Sequence, residues 1–558
     1  MCFITLVVAV INQTKNRSSR IKLSRSSSLK KSLTPKFFPI IIFLVAFSFL
    51  SFNMYNHGLT SDERIYNANG VVIFDLASKG DFLNPCWNGQ GICKQLCLTE
   101  CWKTAPWLDA SQPFLGGSVK SLIIGSGYFL MGEDGNNAYQ WSANFPFDPN
   151  GALPNQDELE AGRLFSPLLG SLTVVIAYFV GSILFNRFTG ACFSITLLFH
   201  GLWLFHSRTT MTEVFVGFFM ISSIFLLLYS LKEKNSIKLK YFILSAIVFA
   251  ITVNTKLPSL ELIPLFVLII FFRTSWTEKF SLNRIKNKKF SLKSLGLILL
   301  FTAVFVPAVF LTEPFYYINP ISQIQFFEEN MQKFSFLHPP WEDDKPHIRL
   351  VGTFSATVLP IMDYYYHSFA PEDTPDTGTG GTSTTGTGAG NTVISTWSSI
   401  PLTLFLILGI IFLFYSIKKR TLQISEFLLL IWFFSIFILT ATTLDSYNVG
   451  RHLFVLLIPM ILIASYGLSR FISNEPNLKA KIIFISIFII SHAITILAFS
   501  DLIYYSPEFI WPTPLPFSLQ ASLELPIVSI LGIIFLITFG IFAIRKLIIF
   551  KKTTQQSS

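Results

Sequence analysis

Two adjacent carboxylates, Asp62 and Glu63, follow the first long apolar segment of the chain, in the stretch "SFNMYNHGLTSDERIYNANG". Neighbouring carboxylates repel each other, and at the mouth of a membrane helix they are costly unless they pair or act. A carboxylate in such a place can take a proton from a hydroxyl group. Asp62 and Glu63 are therefore the first candidates for general acid–base chemistry.

Basic residues recur at the ends of other apolar segments, where cations could hold a phosphate and neutralise the charge that grows as it leaves. Each one alone could be an interfacial anchor. Anchoring does not explain the accompanying acids, however, so the combination favours group transfer from a lipid phosphate to an acceptor outside the cytoplasm. The basic residues are Arg163, Arg208, Lys256 and Arg451, with Glu213 and His452 beside them.

The elements that position these residues are predicted to be membrane helices. Of the 558 residues, 51% are hydrophobic and only 13% are charged, which indicates an all-α polytopic membrane protein. Runs long enough to cross the bilayer number about 12. They are 37–55, 164–185, 188–205, 211–231, 241–253, 257–272, 295–311, 400–417, 427–442, 453–468, 482–499 and 525–544.

Basic clusters predict the topology. The segment before the first run is basic and contains no acid, and later basic clusters fall in alternate loops. By the positive-inside rule both termini are cytoplasmic, and two long loops, 56–162 and 312–399, lie outside. All the candidate residues then fall on the outer face. The net charge of +10 is thus a topology signal that also suits anionic inner-leaflet lipids, and it does not indicate a nucleic-acid partner.

The first outer loop contains four cysteines in the spacing C-x6-C-x3-C-x3-C, which matches no common zinc pattern. An oxidising exterior favours two disulfides, whose pairing the spacing does not determine. Free thiols and a metal site are the alternatives. The residues are Cys86, Cys93, Cys97 and Cys101.

The ordered set of motifs resembles the GT-C glycosyltransferases, specifically the protein O-mannosyltransferases and their prokaryotic relatives, which include aminoarabinose transferases. The resemblance rests on motifs in the family's order: Asp62-Glu63 followed by Tyr66, "SQPFLGGSVKSLIIGSGYFLMG" with Pro113 and Lys120, "RLFSPLLGSLTV" from Arg163, Ser207-Arg208 with Glu213, Lys256 after the fifth span, and "RHLFVLLIP" from Arg451. The chain departs from the pattern with Gln112 in place of His, with Glu213 in place of Asp, and with the cysteine-containing insert.

This resemblance implies a polyprenyl (dolichyl) phosphate sugar as donor, with mannose as the sugar, and a Ser or Thr hydroxyl as acceptor, with inversion at the anomeric carbon. Asp62 becomes the candidate general base. Glu63 would orient the acceptor or the base, or alternatively cap a juxtamembrane helix. Phosphate contacts fall to Arg163, Arg208, Lys256 and Arg451. The supporting residues are Tyr66, Glu213, which would buttress an arginine, and His452.

The resemblance also defines a domain organisation. A basic cytoplasmic tail, 1–36, precedes a catalytic GT-C transmembrane module, 37–311, which includes the outer loop 56–162. A second outer loop, 312–399, contains a Gly- and Thr-rich segment expected to be disordered. A C-terminal transmembrane module and cytoplasmic tail, 400–558, complete the chain.

Two other functions are alternatives. A lipid or oligosaccharide glycosyltransferase of the same architecture would show the same residues. A transporter would place polar residues at the midplane and show internal repeats, and the sequence shows neither. The expected location is the plasma membrane of a prokaryote or the endoplasmic reticulum of a eukaryote, with an extracytoplasmic site. The expected partners are the donor lipid, a protein or glycan acceptor and membrane lipids. No cofactor is required, although the acids would suit a divalent metal.

Overall fold

The computed structural model describes residues 37–52, 54, 61–83, 117–133, 155–233, 236–273, 278, 280, 292–317, 321, 389–443, 454–504 and 527–555. These residues form helices and no β-strand. The helices are α1 Phe38–Ser51, α2 Ser61–Ser78, α3 Ser118–Met131, α4 Gln156–Arg163, α5 Ser166–Leu184, α6 Arg187–Leu198, α7 Gly201–His206, α8 Thr212–Ser230, α9 Leu239–Thr255, α10 Ile263–Phe272, α11 Leu292–Leu311, α12 Ala389–Lys418, α13 Ile424–Thr443, α14 Phe454–Asn474, α15 Leu478–Tyr504 and α16 Ile527–Gln555, with short 3₁₀ turns at Leu257–Leu262 and Pro314–Tyr316.

The predicted all-α polytopic class is confirmed. Every predicted span overlaps a helix. Within the described ranges, six helical stretches are long and apolar enough to cross a membrane by themselves, and several shorter apolar helices accompany them. The six are Gln156–Leu184, Thr212–Ser230, Lys293–Leu311, Val455–Asn474, Leu478–Leu497 and Ser529–Ile548.

Two features differ from the sequence expectation. The run 188–205 is broken, because His200 has an extended backbone (ψ 129°) between α6 and α7. Apolar residues flank the break on both sides, so hydropathy alone does not show it. The second difference is α3, an apolar helix inside the segment that was expected to be an outer loop. It starts after Gly117, whose φ of 85° is readily available only to glycine.

The bundle is organised around α8, all of whose residues are buried. Helix α8 packs against α5, α9 and α14, and α5 in turn packs against α1 and α6. A helix that is apolar on every side is expected to lie inside a bundle. By contrast, α11, α15 and α16 leave most of their apolar surface exposed, as membrane helices facing lipid tails do.

Glycines allow α2 to approach α3 closely. A Cβ at Gly125 of α3 would collide with the carbonyl oxygen of Gly70 and the Cβ of Phe74 in α2, and a Cβ at Gly162 of α4 would collide with the Asn67 amide of α2. Small residues at such crossings let backbones meet directly. Helices α2, α3 and α4 are therefore packed directly against one another.

Substitution of Gly125 tests this packing. Gly125→Ala should lower the free energy of unfolding by roughly 1–3 kcal/mol, because the added methyl overpacks the α2–α3 contact. The matched control is Gly296→Ala in α11, where a Cβ meets nothing within 4 Å, so the variant should be neutral or slightly stabilised. Thermal unfolding in detergent measures both. Equal melting temperatures for the two variants would contradict the close contact.

Candidate active site at one end of the bundle

The centre of the candidate site is an ion pair between Glu63 in the first turn of α2 and Arg163 at the end of α4. Arg163 Nε donates to Glu63 Oε1 at 2.8 Å, and Arg163 Nη2 donates to Oε2 at 2.6 Å. Both side chains are 0% exposed. Arg163 Nη1 also donates to the Met54 carbonyl at 3.0 Å. The bidentate geometry is the strongest form of this contact and fixes α2 against α4.

A third element joins the same carboxylate. The backbone N–H of Thr210 donates to Glu63 Oε1 at 2.9 Å, and its hydroxyl lies 3.3 Å from the same oxygen. Thr210 belongs to the segment that connects α7 to α8 and carries Arg208. Glu63 therefore binds groups from two other elements, and the alternative of a cap for its own helix stays a prediction. The same contacts favour a structural role for Arg163 over the predicted phosphate contact.

Asp62 is the second residue of α2, and its side chain lies outside the described residues. Its position on the helix is still informative. Residues three and four apart share a helix face, so Tyr66 lies one turn after both Asp62 and Glu63. The buried pair at Glu63 therefore determines where the neighbouring face, with Asp62, is placed.

Arg208 is a buried cation, 4% exposed, whose Nη1 donates to the Phe49 carbonyl at 3.3 Å. No carboxylate of the described chain forms an ion pair with it. Burial, followed by the charge of Arg163, lowers the pKa of Arg208 to about 9, so the guanidinium stays protonated at neutral pH. A buried charge with only a carbonyl partner is costly, and an anionic ligand would lower that cost.

Glu213, in the first turn of α8, contacts two basic side chains. Its Oε1 accepts from Lys256 Nζ at 3.2 Å, and its Oε2 lies 3.9 Å from His206 Nδ1. Lys256 follows α9, and its side chain is 18% exposed. Within the described residues Glu213 therefore lies beside Lys256 and His206, and its predicted support of an arginine stays a prediction. His206 was not predicted.

Lys120, in the first turn of α3, contacts α8 next to Glu213 and also contacts α2. Its Nζ donates to Thr212 Oγ1 at 3.1 Å and lies 3.6 Å from the centre of the Tyr66 ring. Lys120 lies in the motif that contains Pro113, and the sequence alone assigns it no role. A lone lysine within an apolar stretch was the signal that could have identified it, because buried ammonium groups are rare unless they are paired.

The remaining predictions fall outside the described residues and stay predictions. They concern Arg451, His452, Cys86, Cys93, Cys97, Cys101 and the Gly- and Thr-rich segment. Within the described ranges, no group of three or more His, Cys, Asp or Glu side chains is arranged to hold a metal ion.

Solved structures with a related arrangement are distant in sequence. The chain is similar to ArnT from Cupriavidus metallidurans bound to undecaprenyl phosphate, with a TM-score of 0.45 and 12% identity over 91% of this chain and 74% of that one. It is also similar to an Archaeoglobus fulgidus oligosaccharyltransferase tethered to an acceptor peptide, with a TM-score of 0.44 and 11% identity over 92% of this chain and 55% of that one. The chain thus spans little more than half of the archaeal protein, and no residue correspondence follows at these scores.

Sequence comparison gives a narrower result. No curated protein matches the chain significantly. Residues 113–319 match the sequence model of a family described as dolichyl-phosphate-mannose-protein mannosyltransferase. The matched range contains Arg163, Arg208, Glu213 and Lys256, and it ends just beyond α11. The resemblance predicted from the motifs is thereby confirmed: residues 113–319 match the dolichyl-phosphate-mannose-protein mannosyltransferase family.

Proposed function

We propose that the protein is an integral membrane glycosyltransferase that moves a sugar, mannose, from a polyprenyl (dolichyl) phosphate donor to a Ser or Thr hydroxyl of a protein. The single observation that carries the proposal is the contact of Glu63 with Arg163 and Thr210. This contact brings the helix with Asp62 to the segment that bears Arg208, and Glu213 at the start of the next helix binds Lys256. The family match over residues 113–319 supports the choice of donor and acceptor.

The proposed reaction is a single displacement. Asp62 accepts the proton of the acceptor hydroxyl, and the oxygen attacks the anomeric carbon from the side opposite the phosphate. The bond between that carbon and the phosphate oxygen breaks, and its electron pair leaves with the lipid phosphate. The anomeric configuration inverts. Nearby cations stabilise the negative charge that develops on the leaving phosphate.

Among the predicted cations of the described chain, Arg208 is the better candidate for a phosphate ligand, and Lys256, which is paired with Glu213, stays a second candidate because its side chain is partly exposed. Arg208 has no carboxylate partner in the described chain, and Lys256 is the more exposed of the two. Arg163 is already neutralised by Glu63. Arg451 keeps its predicted role as a proposal from the sequence. The site is proposed to open on the extracytoplasmic face, since the basic clusters lie in the opposite loops.

A lipid or oligosaccharide acceptor is the alternative that uses the same residues. Incubation of the purified protein with a defined polyprenyl phosphate mannose carrying a labelled sugar separates the two. Label in Ser or Thr residues of an acceptor peptide, located by mass spectrometry, supports the proposal. Label found only in a glycan or lipid would favour the alternative acceptor class.

Asp62→Asn tests the proposed base. The amide has nearly the same shape but does not accept the proton, so the transfer rate should fall by roughly 10²- to 10⁴-fold. Donor binding should change little, because the cations hold the phosphate. Initial rates and donor binding, measured on the same preparation, give the two quantities. Full activity in this variant would show that another group is the base.

Glu63→Gln should affect folding more than chemistry. It leaves Arg163 buried without its counter-charge, which costs about 3–5 kcal/mol. Thermal unfolding should show a large fall in melting temperature, larger than that of Asp62→Asn. The double variant Glu63→Gln/Arg163→Met removes both charges and should recover part of the loss. A melting temperature unchanged in Glu63→Gln would contradict the structural role of the pair.

Arg208→Gln should separate stability from binding. Removal of a buried charge that has no carboxylate partner in the described chain should leave the melting temperature unchanged or higher. Donor binding should weaken, because a phosphate ligand is lost. Isothermal titration with a short-chain polyprenyl phosphate measures the affinity. Unchanged affinity would remove Arg208 from the phosphate site.

A further inference from the structure

Glu313, which follows α11, holds the beginning of α3. Its Oε2 accepts from the backbone N–H of Ser118 at 2.9 Å, and its Oε1 accepts a short hydrogen bond from the Ser118 hydroxyl. Glu313 is 5% exposed. The first N–H groups of a helix lack internal partners and form the positive end of its dipole, so a carboxylate there is stabilising. Glu313 therefore stabilises the N-terminus of α3, although it follows Ser118 by 195 residues in the sequence.

The beginning of α3 is also fixed sterically. A Cβ at Gly117 would lie 2.8 Å from the Cα of Thr255 and 2.9 Å from the Asn254 carbonyl oxygen, at the end of α9. The Asn254 side chain donates to the Val309 carbonyl at 2.8 Å and to the Thr312 hydroxyl at 2.9 Å, at the end of α11. Three chain segments therefore meet at this point: Glu313 joins the end of α11 to α3, and Asn254 joins the end of α11 to α9.

The first turn of α3 carries Lys120 into contact with α2 and α8. Its ammonium lies against the Tyr66 ring and donates to the Thr212 hydroxyl. Lys120 is 0% exposed, so it acts on the groups it touches. A desolvated cation over an aromatic ring is attracted by the negative face of the ring. A shift of α3 along its axis would move Lys120 off Tyr66.

Tyr66 lies one helical turn after Asp62 on the same face of α2. Glu313 therefore binds Ser118 at the start of α3. Two residues later in the same helix, Lys120 contacts Tyr66, on the face of α2 that bears the proposed base. We propose that Glu313 and Lys120 are positioning residues that hold this face of α2 in its reactive place. The proposal rests on the proposed function, since it concerns the placement of Asp62.

Activity of single and double variants tests this. Glu313→Ala and Lys120→Met should each lower kcat for sugar transfer by about 10- to 100-fold, because misplacement by about 1 Å can cost that much. The KM for the donor should change by less than about threefold, since neither residue is proposed to touch the phosphate. Lys120→Arg, which keeps a cation over the ring, should recover much of the loss.

The double variant distinguishes positioning from general destabilisation. If Glu313 acts through Lys120, then Glu313→Ala/Lys120→Met should lose no more activity than Lys120→Met alone, because residues that act as one unit are non-additive. Losses that multiply would overturn the proposal, and so would full activity in Glu313→Ala.

Glu426→Ala provides a matched control at the opposite end of the bundle. Glu426 is 1% exposed and, like Glu313, accepts from a backbone N–H (Gln423, 2.8 Å) and from a hydroxyl (Tyr466). The partly exposed Arg470 also lies 3.8 Å from its Oε1. Its loss should lower the melting temperature by an amount similar to that for Glu313→Ala, but it should leave kcat unchanged. Equal losses of kcat in the two variants would overturn the proposal.

Hydrogen exchange separates this proposal from the proposed function. Amides in the first turn of α3 should exchange faster in Glu313→Ala than in the unsubstituted protein or in Glu426→Ala. Unchanged exchange there would overturn the proposal whatever the transfer assay shows. If the unsubstituted protein transfers no sugar from any polyprenyl phosphate donor, the proposed function fails, whereas the exchange result still reports on the contact between Glu313 and α3.

Discussion

The arrangement of the site depends on the ion pair between Glu63 and Arg163. Both groups lie fully inside the protein, where an unpaired charge would cost several kcal/mol. The Glu63 carboxylate is therefore stable in the interior only when it is paired with the Arg163 guanidinium. The Thr210 N–H donates a further hydrogen bond to the same carboxylate. This single requirement ties α2, α4 and the connection between α7 and α8 together. The positions of Arg208 and of the helix face with Asp62 therefore depend on this ion pair.

The periodic part of the structure could be predicted from the sequence. Long apolar runs specify membrane helices because an unpaired backbone group in hydrocarbon is costly, and only helices or closed barrels avoid that cost. The break at His200 could not be predicted, since apolar residues continue across it. Helix α3 was missed for a related reason, because its run is short and lies in a segment that topology assigns to a loop.

The sequence predicts which ionisable residues belong to the candidate site, but it does not predict which of them form ion pairs. Ionisable residues at the ends of apolar runs identified Glu63, Arg163, Arg208, Glu213 and Lys256 without any structure. The sequence did not show that Arg163 belongs to Glu63, which is 100 residues away. Nor did it show that Lys256 belongs to Glu213. These pairs depend on which helix ends are neighbours in space. The division between cations neutralised by an acid and cations available to a ligand follows only from that arrangement.

The complete burial of α8 has a consequence for how the protein is made. Helix α8 is enclosed partly by α5 and α9, which flank it in the chain, and partly by α14, which is synthesised much later. Until α14 has entered the membrane, one side of α8 must face lipid or the insertion machinery. Its mainly apolar surface makes that exposure tolerable, because lipid tails solvate apolar side chains about as well as the protein interior does. The helix that carries Glu213 therefore becomes fully enclosed only when α14 packs against it.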